Sequence, residues 1–105
     1  MGPKCVELTG DVRFTRLLAG QPETCGMKSG YVTLKAGEAV GEHKTEAREE
    51  AIIVLEGSAE VIVDGAPAFS ASERTLVYIP PDTSHDIRNK GQGLLRYVYV
   101  VTPVR

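Results

Sequence analysis

Turn-forming residues recur along almost the whole of this 105-residue chain, which holds 11 glycines and 6 prolines. The runs between them are short and rich in Val, Ile, Tyr and Thr, and none shows sustained helical periodicity. Short strands separated by turns at regular intervals indicate an all-β barrel or sandwich. The predicted strands cover residues 31–35, 51–55, 59–63, 75–79 and 94–102, and residues 12–19 form either a further strand or one short turn of helix.

Two local patterns add detail to this all-β prediction. Asp64-Gly65 follows the run Val61–Val63 and predicts a tight hairpin into a strand around residues 68–70. The run Ala51–Leu55 is apolar at every position, so both of its faces should be covered. One face would point into the barrel, and the other would meet a second sheet or a second subunit.

Length and charge limit the classes of function. We expect one domain, residues 1–105, because the chain is of ordinary domain size. The formal net charge of −2, with scattered lysines and arginines, gives no electrostatic basis for nucleic-acid binding. No apolar run reaches the length of a membrane span or a signal sequence, so we expect no membrane association. Two separated cysteines, Cys5 and Cys25, are expected to stay reduced in a cytoplasmic protein.

The chain has only two histidines, His43 and His85, and each lies beside turn-forming residues. On a strand, His43 and Thr45 share one face, and Glu50 shares a face with the apolar residues two and four positions further on. Burying this carboxylate is costly unless a cation pairs with it, either a metal ion or an arginine. Two imidazoles and one carboxylate suit a divalent metal with open coordination positions. The alternative is that no metal site exists. The histidines would then be surface or hydrogen-bonded residues, and the charged residues 46–50 would be solvated.

Two segments resemble the paired motifs of the cupin superfamily. The first motif has the form G-x5-H-x-H-x3-4-E-x6-G and is matched by Gly37, His43, Thr45, Glu50 and Gly57. The second has the form G-x5-P-x-G-x2-H-x3-N and is matched at Pro80, His85 and Asn89, with Arg74 and Asp82 in place of its two glycines. Both motifs occur in the right order, and together they cover roughly half of the chain.

The resemblance implies a single antiparallel β-barrel of the double-stranded β-helix, jelly-roll-like type, with its site inside. It also implies that His43, Glu50 and His85 bind a divalent metal ion, with Fe, Zn, Mn, Ni and Co as the candidates. Thr45 stands where metal-binding members have a second histidine and is predicted to hydrogen-bond a metal-bound water or ligand. Asp82 should be harmless in a tight turn, and Arg74 should only alter a turn.

The last strand offers a second candidate for ligand binding. Arg96, Val98 and Val100 share one face, and Tyr97, Tyr99 and Val101 share the other. If the arginine face points inward, Arg96 would bind a substrate carboxylate or pair with Glu50; if it points outward, Arg96 is solvated. The tyrosines are interpreted as packing residues, and Asn89 as a turn or strand-end residue.

These features predict a small metal-binding protein that binds or acts on a small polar molecule, with metal-dependent oxygenase or isomerase chemistry as the leading possibilities. One alternative is a non-catalytic small-molecule binding or sensor domain with weak or no metal binding. Another is a metal-free structural barrel. We also expect a homodimer that pairs through the outer face of the strand at residues 51–55.

Overall fold

Two antiparallel sheets face each other across an apolar interior in the computed structural model, which describes residues 1–104. Nine strands build them: β1 (Phe14–Ala19), β2 (Lys28–Leu34), β3 (His43–Lys44), β4 (Arg48–Glu56), β5 (Ala59–Val63), β6 (Ala66–Ala71), β7 (Thr75–Ile79), β8 (Ser84–Asn89) and β9 (Leu95–Pro103). Among the described residues, no helix has the length and hydropathy needed to cross a bilayer.

The chain passes repeatedly from one sheet to the other, and only β1–β2 and β5–β6 are successive strands of the same sheet. One sheet has the order β1-β2-β9-β4-β7 and the other the order β3-β8-β5-β6. All of the strand pairs in both sheets are antiparallel. This is the double-stranded β-helix, so the predicted all-β class and jelly-roll-like fold are confirmed.

Strict alternation of side chains places the core between the sheets. In β4, Ile52 and Val54 are completely buried, whereas Leu55 is exposed. Burying apolar side chains of this size contributes about 1.5–3 kcal/mol each. The buried cluster draws on strands from both sheets and comprises Val32, Leu34, Ile52, Val54, Ala59, Val61, Ala71, Val77, Ile79, Ile87, Leu95 and Tyr97.

The predicted strands at 59–63 and 75–79 have the bounds of β5 and β7, and residues 12–19 contain β1. The Asp64-Gly65 hairpin is confirmed, since Val63 pairs with Ala66 and both turn residues have positive φ, 51° and 82°. This is the conformation that a two-residue hairpin turn requires.

Two further turns explain the departures from the glycine positions of the second motif. Arg74 has φ 66° and Asp82 has φ 54°, both in the left-handed region that glycine adopts most readily. The backbone N–H of Arg74 donates to the Val54 carbonyl, and that of Asp82 donates to the Glu46 carbonyl. The backbone therefore keeps a glycine-like conformation although neither residue is glycine.

The outer face of the five-stranded sheet carries an apolar patch where β4 lies between β7 and β9, as the double-sided pattern of residues 51–55 predicted. Ala51 pairs with Tyr78 and Val100, and Ile53 pairs with Leu76 and Val98. Leu76 and Tyr78 are 62% and 53% exposed. No second layer from residues 1–104 covers these two side chains, so this face is the surface that we propose for the homodimer.

Light scattering at micromolar concentration is expected to give twice the mass of one chain. Leu76→Glu should convert the protein to a monomer, because a carboxylate would be desolvated in an apolar interface. Val12→Glu serves as the matched control, since Val12 is also well exposed but lies outside the strands. A monomeric wild-type protein would refute the homodimer.

Candidate metal centre

The fold brings together the three residues that the sequence predicted as metal ligands. His43 in β3 and His85 in β8 are directly paired in one sheet, with ring centroids 4.1 Å apart. Glu50 reaches them from β4 in the opposite sheet. One ligand atom from each of the three side chains lies within 4.8 Å of the other two.

Backbone carbonyls orient both imidazoles. Nδ1–H of His43 donates to the Gly41 carbonyl at 3.0 Å, and Nδ1–H of His85 donates to the Thr83 carbonyl at 3.2 Å. With the proton on Nδ1, the Nε2 lone pair of each neutral ring is available to a metal ion. Histidines that bind metals usually donate their other ring N–H in this way.

Glu50 and His85 form the buried part of the cluster. Nε2 of His85 lies 3.1 Å from Oε1 of Glu50, and the two residues are only 1% and 7% exposed. Burial by itself would lower the pKa of His85, but the hydrogen bond and charge of Glu50, helped by the Thr83 carbonyl and Asp86, raise it overall. Because Nδ1–H is already committed to Thr83, this close approach requires a proton between Nε2 and Oε1, carried by either residue, or a metal ion.

This donor set fits a divalent metal ion. Two imidazole nitrogens and one carboxylate oxygen are typical ligands of Zn²⁺ and of first-row transition metals, and three protein ligands leave positions for water or substrate. The ligands differ in their exposure, since His43 is exposed whereas Glu50 and His85 are buried. An ion bound here would therefore be accessible from the side of His43.

The Thr45 hydroxyl is hydrogen-bonded to the backbone, and its predicted contact with a metal-bound water or ligand stays a prediction. Its hydroxyl donates to the Pro80 carbonyl at 2.7 Å and accepts from the Thr83 N–H at 3.0 Å. Thr45 is buried and lines the cavity beside the metal cluster. Its hydroxyl ties β3 to the loop before β8, so the residue positions both histidine-bearing segments.

Asp86 also positions the site. The carboxylate is buried and accepts a hydrogen bond from the Gly41 N–H at 2.9 Å. Nε of Arg88 donates to its other oxygen at 3.3 Å. Asp86 thus secures the loop whose Gly41 carbonyl orients His43.

A cavity of about 390 Å³ is lined by two of the three candidate ligands, His43 and Glu50. Its walls are mostly apolar and aromatic, with three cationic side chains. The lining residues are Arg13, Phe14, Val32, Val40, His43, Lys44, Thr45, Arg48, Glu50, Ile87, Tyr97, Tyr99 and Val101.

The inward face of β9 is the tyrosine face, so the inward-pointing alternative for Arg96 is wrong. Nε of Arg96 donates to Glu56 at 3.0 Å, and Nη2 donates to Asp11 at 2.8 Å. Its Nη1 donates to the Tyr31 hydroxyl at 3.3 Å. Arg96 therefore neither lines the cavity nor pairs with Glu50, and its predicted role in substrate binding has no support from its position.

Tyr97 and Tyr99 are among the cavity residues that sequence reasoning did not assign to the site. Burial first, and then the nearby charge of Glu50, raise the pKa of Tyr97, so its hydroxyl stays protonated as a donor. The alternation of β9 separated the two faces correctly but did not show which face points inward. The register between β4 and β9 shows that the tyrosine face points inward, because it pairs Tyr97 with the buried Val54.

Asn89 is structural, as predicted. Its amide donates to the carbonyls of Leu34 and Gly93, and its side-chain oxygen accepts from the Gly91 N–H. The two cysteines are free and exposed.

A double-stranded β-helix with a two-histidine, one-carboxylate cluster at its cavity defines a small barrel of the cupin class. Residues 30–101 match the Cupin domain family, and the chain belongs to it. It is 35% identical over 98 residues to protein SchB of Streptomyces halstedii, covering 90% of this chain and 67% of SchB. It is also 35% identical over 86 residues to polyketide synthase CurC of Streptomyces cyaneus, covering 79% of this chain but only 55% of CurC.

Solved structures support the same fold. The cupin domain of Schizosaccharomyces pombe Cnp3 has a TM-score of 0.77 at 21% identity, covering 93% of this chain and 69% of that one. An RmlC-like cupin family protein from Methanocaldococcus jannaschii has a TM-score of 0.75 at 22% identity, covering 98% and 93% respectively. At these identities the likeness concerns the fold alone.

Thr45→Val is expected to lower the free energy of unfolding by about 1–3 kcal/mol, because it leaves the Pro80 carbonyl and the Thr83 N–H without their partner. Thr45→Ser keeps the hydroxyl and should lose clearly less. Urea denaturation of EDTA-treated protein measures both. Equal stability of Thr45→Val and wild type would contradict the positioning role.

The raised pKa of His85 predicts how the stability of EDTA-treated protein depends on pH. The ordinary value is 6.5, so the stabilising contribution is complete below that pH and is lost as pH rises through the higher folded-state pKa. Urea denaturation across this range should show falling stability in the wild type and a flatter profile in His85→Gln. Wild-type stability that rises with pH over the same range would disprove this assignment.

Proposed function

We propose that this protein is a metal-dependent enzyme that acts on a small carbonyl-containing molecule of polyketide type. The supporting observation is the convergence of two imidazole rings and the Glu50 carboxylate beside a largely apolar cavity, which His43 and Glu50 line. Donors that hold an ion at a cavity wall suit an enzyme whose substrate reaches the metal directly.

The substrate class is suggested by the relatives. One is described as a polyketide synthase, and polyketide intermediates are rich in carbonyl and enol oxygens. Such oxygens coordinate divalent metals, and the carbon skeleton between them suits apolar walls. The chain spans about half the length of that relative, so the assignment to this chain rests on the cavity as well as on the likeness.

We assign one set of residues to metal binding and another to substrate binding. His43, Glu50 and His85 would bind the ion, which as a Lewis acid polarises a substrate carbonyl or enol. The Tyr97 hydroxyl, kept protonated by burial, offers a hydrogen-bond donor inside the cavity. The buried apolar residues Val32 and Ile87 exclude water from the inner wall. Oxygenation and isomerisation both remain compatible with this arrangement.

A non-catalytic binding or sensor protein is the second candidate, and Thr45 is the observation that favours it. Family members that bind metal have a second histidine at this position, whereas here the hydroxyl is engaged with Pro80 and Thr83. A three-ligand site holds its ion less tightly than a four-ligand site. An assay of the metal-loaded protein with carbonyl-rich substrates separates the two candidates. Turnover supports the enzyme, whereas binding without turnover supports the binding or sensor protein.

Untagged protein purified without chelators is expected to contain close to one divalent ion per chain by elemental analysis. His43→Ala, Glu50→Gln and His85→Ala should each reduce metal affinity by tenfold or more, in the range seen when groups around a metal are altered. Glu49→Gln is the matched control, since Glu49 is adjacent to Glu50 but binds the Tyr78 hydroxyl. Metal content that is unchanged in all three variants would exclude this site.

A further inference from the structure

Two aromatic rings lie side by side on the inner surface of the five-stranded sheet. Phe14 comes from β1 and Tyr99 from β9, the two strands that flank β2. Their ring centroids are 6.3 Å apart, and their planes differ by only 17°. Both rings line the cavity, and we refer to this pair as the aromatic shelf.

Gly30 makes the aromatic shelf possible. A Cβ atom at this position would lie 2.5 Å from Cε1 of Phe14 and 2.6 Å from Cε2 of Tyr99, closer than atoms can approach. The two rings therefore rest directly on the backbone of β2 and lie almost parallel to each other. Phe14 remains 43% exposed although the guanidinium carbon of Arg16 lies over its ring, 5.5 Å from the centroid, so part of the side chain stays accessible.

The charges around the cavity are mainly positive. Arg13, Lys44 and Arg48 line it, against the single carboxylate of Glu50. Arg13 is engaged with Glu38 and with the Ala39 carbonyl. Within residues 1–104, neither Lys44 nor Arg48 forms an ion pair with a carboxylate. The cavity thus offers two free cations to an anionic ligand.

We propose that the cavity selects a planar aromatic ligand that carries an ionised oxygen, as a carboxylate or phenolate. The ring system lies on the aromatic shelf, where offset stacking favours flat π-systems over saturated rings of similar size. The ionised oxygen is stabilised by Lys44 and Arg48. This inference deepens the proposed function, because it names the substrate class of the same cavity.

The test compares naphthoate with two probes that each lack one feature: decalin carboxylate, which is saturated and not flat, and naphthalenemethanol, which is flat and neutral. Calorimetry is performed on zinc-loaded and on EDTA-treated protein. Naphthoate should bind more tightly than both. Phe14→Leu should weaken naphthoate binding about two- to tenfold, the range expected for one aromatic contact, and leave decalin carboxylate unchanged.

Phe69→Leu is the matched control, because Phe69 is the only other phenylalanine and lies outside the cavity. Tyr99→Leu repeats the test of the aromatic shelf if Phe14→Leu fails to fold. Arg48→Gln should weaken naphthoate and leave naphthalenemethanol unchanged.

Equal binding of naphthoate and decalin carboxylate, no binding of naphthoate, or equal effects of Phe14→Leu and Phe69→Leu would overturn the inference. Naphthoate selectivity in a protein that binds no metal would support this inference while removing the proposed metal-dependent function. Metal binding without naphthoate selectivity would leave the proposed metal-dependent function standing and overturn this inference.

Discussion

A buried contact between the two sheets underlies the whole site. Glu50 begins the inward-facing row of β4, where a lone carboxylate would be costly to desolvate. His85 comes from the facing sheet and lies 3.1 Å away. The pair needs a proton or a metal ion between its members, because the other ring nitrogen of His85 is already committed to the Thr83 carbonyl. Burial of an unpaired carboxylate destabilises the core, and the same carboxylate makes this position suitable for binding a cation.

The residues around that contact fall into two groups with separate tasks. Thr45 and Asp86 bind backbone groups and set the positions of the histidine-bearing segments. Phe14 and Tyr99 shape the cavity next to them. Substitutions in the first group can change the geometry of the metal-binding side chains without direct contact with the bound molecule. Substitutions in the second group can change which molecule the cavity binds without contact with the metal. This division is consistent with a shared barrel that serves many different substrates.

Much of the fold followed from the sequence, because local signals determined it. The Asp64-Gly65 turn and the bounds of β5 and β7 depend on residues close together in the chain. The resemblance to the paired motifs predicted the barrel fold and the three candidate metal ligands. The inward face of β9 could not be assigned in this way, because alternation separates two faces without saying which is covered. The aromatic shelf depends on three strands meeting at Gly30, a contact between residues 14, 30 and 99 that no local pattern shows.

The brevity of β3 has a kinetic consequence. The strand has two residues and lies at the edge of its sheet, so His43 is held by few backbone hydrogen bonds, while Glu50 and His85 lie in longer strands of the interior. Short edge segments open locally at little free-energy cost. If an ion is bound here, His43 would be the ligand that detaches most readily, while Glu50 and His85 would keep their places in the interior. The rate of ion exchange would then depend on fraying of this edge, and the strength of retention on the two interior residues.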